Sequence, residues 1–112
     1  MSRPGDGERF ERENRVLTIL GSVEQFSAIE IEFDATFAVE PHVHHDHADS
    51  FYVLEGEVEF TVEDEVVLAG PGTFVLAPPG TRHGFRHQGP GKARVLNLHA
   101  PDAGFADGIR SY

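Results

Sequence analysis

Residues 41–49 read PHVHHDHAD, with histidine at 42, 44, 45 and 47 and an aspartate on either side of His47. Four of the seven histidines of the chain are packed into this stretch. Imidazole nitrogen is the commonest protein ligand for divalent transition metals. Residues two apart on an extended chain point the same way. His42 and His44 therefore form one candidate chelate, and His45 and His47 form another on the opposite face. Either pair needs further ligands from elsewhere. Asp49 lies five residues beyond His44, so a loop has to bring it round.

A second stretch, GTFVLAPPGTRHGFRH at 72–87, supplies a further histidine. An apolar strand ends at a Pro-Pro-Gly turn, the chain reverses, and His83 opens the next strand. By the period-two rule Phe85 and His87 share the side of His83. No cysteine is present, so neither a disulfide framework nor a thiolate ligand is available.

These side chains need elements to hold them, and the rest of the chain reads as short strands. In SAIEIEFD (27–34) Ile29, Ile31 and Phe33 alternate with glutamates. In EVEFTVE (57–63) Val58, Phe60 and Val62 do the same, so the glutamates there face solvent. VLTIL (16–20), DSFYVLE (49–55), EVVLA (65–69), GTFVLA (72–77) and ARVLNLHA (93–100) complete the series, separated by glycine and proline. On the last of these Val95, Asn97 and His99 share one side and Leu96 and Leu98 the other. No window has helical periodicity. The pattern predicts an all-β sandwich or barrel.

Composition bounds the remaining possibilities. The 112 residues suffice for one domain with a real core. Acids outnumber bases by 19 to 9, a formal charge of −10. Residues 1–15 hold four arginines and four acids and cancel, so the body carries the deficit. Such a body argues against a nucleic-acid partner. No apolar run approaches the roughly 20 residues of a membrane span, and the polar start lacks the apolar centre of a signal peptide. A cytoplasmic protein is expected.

The two histidine stretches together resemble the cupin superfamily. Its first motif, G-x5-H-x-H-x(3,4)-E-x6-G, is similar to His42-x-His44, four residues, Asp49, six residues and Gly56. Its second, G-x5-P-x-G-x2-H-x3-N, is similar to Gly72, Pro78, Gly80, His83 and then His87. The resemblance covers roughly residues 35–100 and is close to small quercetin dioxygenase-like cupins with the phrase FYVLEGEVEF. Three positions depart from the pattern: Asp49 replaces glutamate, His87 replaces asparagine, and Thr36 stands where the first glycine belongs.

The resemblance implies a double-stranded β-helix, or jelly-roll barrel, over residues 16–100, with an N-terminal arm at 1–15 and a C-terminal tail at 101–112. It implies one divalent transition metal (Fe, Mn, Ni, Zn or Cu) on His42, His44, Asp49 and His83, with His45 and His47 as loop residues beside it. Phe85, His87, Asn97 and His99 are the expected pocket residues, and His87 the expected acid–base group. The partners implied are a small molecule and a second copy of the chain. Two functions fit: a metal-dependent oxygenase-type enzyme acting on a small aromatic or oxygenated compound, and a non-catalytic metal-bound binder or structural barrel.

Overall fold

The computed structural model describes residues 1–111. Ten strands and one short helix follow in order: β1 (Glu8–Arg12), β2 (Arg15–Val23), β3 (Phe26–Asp34), β4 (Ala38–His42), β5 (Ala48–Glu55), β6 (Val58–Val62), β7 (Glu65–Ala69), β8 (Phe74–Ala77), β9 (His83–His87), β10 (Lys92–Ala100) and α1 (Phe105–Arg110). They form a six-stranded sheet, β1-β2-β3-β10-β5-β8, packed on a four-stranded sheet, β4-β9-β6-β7. Every pairing is antiparallel. The result is an all-β sandwich, as the strand pattern predicts, with the jelly-roll, double-stranded β-helix architecture that the family resemblance implies.

Alternation explains how each strand faces. On β3 Ile29, Ile31 and Phe33 turn into the sandwich, and on β6 Val58 and Phe60 do. Together with Phe51, Val53 and Val95 they make the core, where the rings of Phe51, Phe60 and Phe85 meet at centroid distances of 5.0–5.7 Å. Gly56 turns β5 into β6 with a φ of +79°, and a Cβ there would lie 3.0 Å from the Cα of Ala93. That combination of left-handed backbone and close approach suits glycine alone.

The inner row of β10 starts apolar, with Ala93 and Val95, and ends polar, with Asn97 and His99. The sandwich interior therefore has an apolar end and a polar end. The outer row of β10 begins with Lys92 and Arg94 and continues with Leu96 and Leu98. Leu96 stands in register with Tyr52, and Tyr52 with Phe74, while Leu98 and Leu76 flank Ser50. Tyr52, Phe74 and Leu76 are exposed.

Both terminal segments contain regular structure. The N-terminal arm contains β1, which pairs with β2 over its whole length. The C-terminal tail contains α1, whose Ala106 and Ile109 are buried. Arg110 ties these segments together through two hydrogen bonds to Glu8, at 2.9 and 2.7 Å. A six-residue helix is too short for a periodic pattern to announce it. No helix among the described residues is long and apolar enough to cross a membrane.

Candidate metal centre and cavity

The polar end of the sandwich is built from two cross-strand pairs. In the smaller sheet His42 on β4 stands opposite His83 on β9. In the larger sheet Asp49 on β5 stands opposite His99 on β10. The pairs meet across the sandwich, where His83 Nε2 lies 3.0 Å from Asp49 Oδ2.

A β-bulge aims His42. Val39 pairs with Phe85 and His42 with His83, so Glu40 and Pro41 together lie opposite Gly84. In a regular strand, three residues' separation would put Val39 and His42 on opposite faces. The extra residue in the bulge returns His42 to the inner face. Pro41 fits there because it brings no N–H that a regular ladder would need. β4 ends at His42, and His44 follows from the loop.

One ring nitrogen each from His42, His44 and His83 lies within 4.8 Å of the other two. His42 Nε2 and His44 Nε2 are 2.7 Å apart. Second partners orient two of the rings. His42 Nδ1–H donates to the Glu40 carbonyl at 2.8 Å, and His83 Nδ1–H to the Thr81 carbonyl at 2.9 Å. Each bond leaves Nε2 directed at the shared space, the arrangement that metal-ligating histidines use. The donor set is nitrogen with a nearby carboxylate and no sulfur, and it suits a divalent transition ion. The residues fit the metal that the sequence motifs imply.

The titrations reflect this crowding. Burial would raise the Asp49 carboxyl, but His83, His99 and Asn97 hold it well below the usual carboxylate range. Burial would lower the His83 imidazole, but hydrogen bonds to Asp49 and Thr81 raise it above its ordinary value. Burial first, and then the neighbouring imidazoles His47 and His42, push His44 from 6.5 down to about 4. His44 is therefore neutral at neutral pH, the form in which imidazole binds metal ions.

A stability effect follows for the metal-free protein. As pH falls from 6.5 towards about 4, the unfolded chain protonates His44 while the folded chain resists. Acidification through that window therefore favours unfolding. The raised His83 acts in the opposite sense, with a contribution that is full below its ordinary value and lost as pH rises through the folded one. Comparison with His44→Gln removes the His44 part alone. Melting temperatures of chelator-treated protein should fall more steeply in the wild type than in His44→Gln over this window. Equal slopes would contradict the assignment.

A cavity of about 730 Å³ opens onto the cluster, within the range of small-molecule sites. His42, His44 and Asp49 line its polar end, and Leu17, Ile31, Phe37, Phe51 and Phe85 its apolar walls. Phe105 and Ile109 of α1 close a further side. Arg15 also lines the cavity, its guanidinium 4.8 Å above the Phe37 ring.

The structure thus brings His42, His44 and His83 together, with Asp49 against His83. Phe85, Asn97 and His99 line the cavity. His87 does not join them. It shares a face with His83, but four residues along a strand is about 13 Å. Its ring sits at the other end of β9, 2.7 Å from the Glu57 carbonyl and 3.3 Å from that of Pro90. It is not among the residues that line the cavity. His45 is exposed, as a loop residue should be. His47 is not: it is 7% exposed, its Nδ1–H donates to Asp46, and its ring centroid is 4.1 Å from that of His44. His99 lies between the rings of His47 and Phe105, at 4.5 and 3.6 Å. Nothing in the period-two pattern marked His47 or Phe105, because a loop and a short helix place them.

Comparison with known proteins identifies the family. The family model described as "Cupin domain" matches residues 30–99, more than half of the chain. The quercetin 2,3-dioxygenase of Bacillus subtilis (strain 168) is 30% identical over 90 residues, which are 77% of this chain and 27% of that protein. The chain thus spans about a quarter of that relative's length. Among solved structures, TT1209 from Thermus thermophilus is 28% identical with a TM-score of 0.78, covering 90% of this chain and 96% of its own. KdgF from Halomonas sp. is 26% identical with a TM-score of 0.77, covering 84% and 86%. With its jelly roll, its histidine cluster and this match, the chain belongs to the cupin family.

Proposed function

We propose that this cupin holds one divalent transition metal on His42, His44 and His83, with Asp49 beside them, and acts by oxygenase-type chemistry on a small aromatic or oxygenated compound. The observation that carries this reading is the convergence of three imidazoles, two of which, His42 and His44, line the polar end of a cavity walled largely by phenyl and alkyl groups. A bound metal there would polarise a substrate oxygen and, if redox-active, exchange electrons with an oxidant.

The chain's own residues do the rest. Phe37, Phe51, Phe85 and Phe105 offer ring faces and edges to a flat apolar body and keep water from it. The Glu40 and Thr81 carbonyls hold the protons of His42 and His83 on Nδ1, away from the ligand side. Neutral His44 needs no deprotonation before it binds an ion. Asp49 brings a negative charge that offsets part of the ion's own.

Metal analysis of protein purified without added metal, followed by oxygen uptake with a panel of flavonols and catechols, tests the proposal. The relative named as a quercetin 2,3-dioxygenase makes flavonols the first choice. Oxygen uptake that disappears with chelator and returns with metal is the expected result. Tight binding of a panel member without turnover would instead establish a non-catalytic binder.

A further inference from the structure

Asn97 and His99 line the cavity, yet one polar atom of each, Asn97 Nδ2 and His99 Nε2, is directed at Asp49. Asn97 Nδ2 donates to Asp49 Oδ1 at 2.6 Å and to the Ser50 carbonyl at 2.9 Å. His99 Nε2 lies 3.2 Å from the same Oδ1. Oδ2 is left to face His83 Nε2 at 3.0 Å. Asp49, Asn97 and His99 are all at least 95% buried, so water does not supply alternative partners. The two oxygens of one carboxylate thus have separate environments, one turned to β10 and the other to the histidine cluster.

We propose that Asn97 and His99 are positioning residues that hold Asp49 Oδ1 and thereby present Oδ2 alone to the metal centre. The proposal rests on the metal reading above. A carboxylate has two oxygens with about four acceptor positions. Both amide hydrogens of Asn97 are already used, one on Oδ1 and one on the Ser50 carbonyl, which locks the amide as well as the carboxylate. Asp49 is one methylene shorter than the glutamate of the family motif, so it has less freedom to reach the cluster by its own rotation. The clamp supplies the aim that the shorter side chain lacks. In this arrangement Asn97 and His99 serve the carboxylate, and a bound small molecule meets the aromatic walls instead.

Cobalt(II) binding to the full chain, read by competition titration and by the visible ligand-field spectrum, tests this without any substrate. His99→Phe keeps a ring between His47 and Phe105 but removes the nitrogen facing Oδ1. His99→Gln gives up the ring but keeps an N–H donor. Asn97→Leu removes both amide donors at similar volume. Expected are about 10-fold weaker binding and an altered spectrum for His99→Phe and Asn97→Leu, the lower end for outer partners of metal ligands. His99→Gln should remain close to wild type, and Asp49→Ala should lose at least as much as either damaging variant. A role of His99 in ring stacking alone predicts the reverse order, with His99→Gln impaired and His99→Phe intact, and that order overturns the proposal. So does an Asp49→Ala protein that binds cobalt as the wild type does. If Asn97→Leu fails to fold, the His99 pair decides. Failure of the metal reading is separate: there the wild type takes up no cobalt, or His42→Ala takes it up unchanged.

Discussion

His42→Ala and His83→Ala each lower metal affinity by more than about 100-fold, beyond the range typical of outer partners. Each removes one of the three imidazoles that converge within 4.8 Å, and the remaining two cannot close the site. His83→Ala has a second consequence. Asp49 Oδ2 then faces a void in a place where the carboxylate is 4% exposed. Leaving a buried acceptor unpaired costs about 1–3 kcal/mol, so this variant should also melt earlier than His42→Ala. His45→Ala is the control, since its side chain is exposed, and it should keep metal and stability. Equilibrium dialysis with elemental analysis and thermal melts of the same preparations give both readouts. Metal retained by His42→Ala and lost by His45→Ala would place the ion on the other face of the loop.

Gly84→Ala damages the same site without touching a ligand. A Cβ at residue 84 would sit 2.5 Å from the Val39 carbonyl oxygen, 2.7 Å from Pro41 N and 3.0 Å from the Glu40 carbonyl carbon. All three are backbone atoms of the bulge, so none can rotate away. β4 has to move off β9, and His42 moves with it, away from His83. Overpacking of this kind costs about 1–3 kcal/mol. The expected result is a lower melting temperature together with a loss of metal affinity of about 10-fold or more. A Phe60→Leu variant makes a useful comparison, because Phe60 is buried in the core and does not line the cavity. It should lower stability and leave metal affinity alone. If Gly84→Ala bound metal as the wild type does, the contact between β4 and β9 would not be what holds His42 in place.

The bulge also explains how far the site could be read in advance. Spacing alone placed His42 and His44 on one face of an extended strand. In the structure β4 ends at His42, and His44 reaches the cluster from the loop. The two imidazoles do meet, but a bulge and a loop bring them together. His87 shows the limit of the same rule. Period two correctly turned it inward, where it is 5% exposed, but a shared face says nothing of distance along the strand. Alternation put Asn97 and His99 on one side of β10 and left open whether that side or the Leu96–Leu98 side faces inward; the packed sandwich buries Asn97 and His99. Their engagement with Asp49 depends on the pairing of β10 with β5, some 48 residues away in the chain.

Several features follow from the amino-acid order by itself. Alternating apolar and polar residues between glycines and prolines decide strand formation and the inner face of β3 and β6, because a pleated chain has a period of two whatever it packs against. The supply of imidazoles, and the absence of thiols, limits the chemistry to nitrogen and oxygen ligands. Other features are tertiary. The bulge that turns His42 inward needs the β9 backbone at Gly84 to pack against. His47 is buried because His44 and His99 lie against its ring. The wall made by Phe105 depends on α1 docking through buried Ala106 and Ile109. Each of these depends on at least one contact between segments far apart in the chain. Local periodicity carries no record of which distant segment will arrive, so only the packed sandwich could decide which histidines share a site and what encloses them.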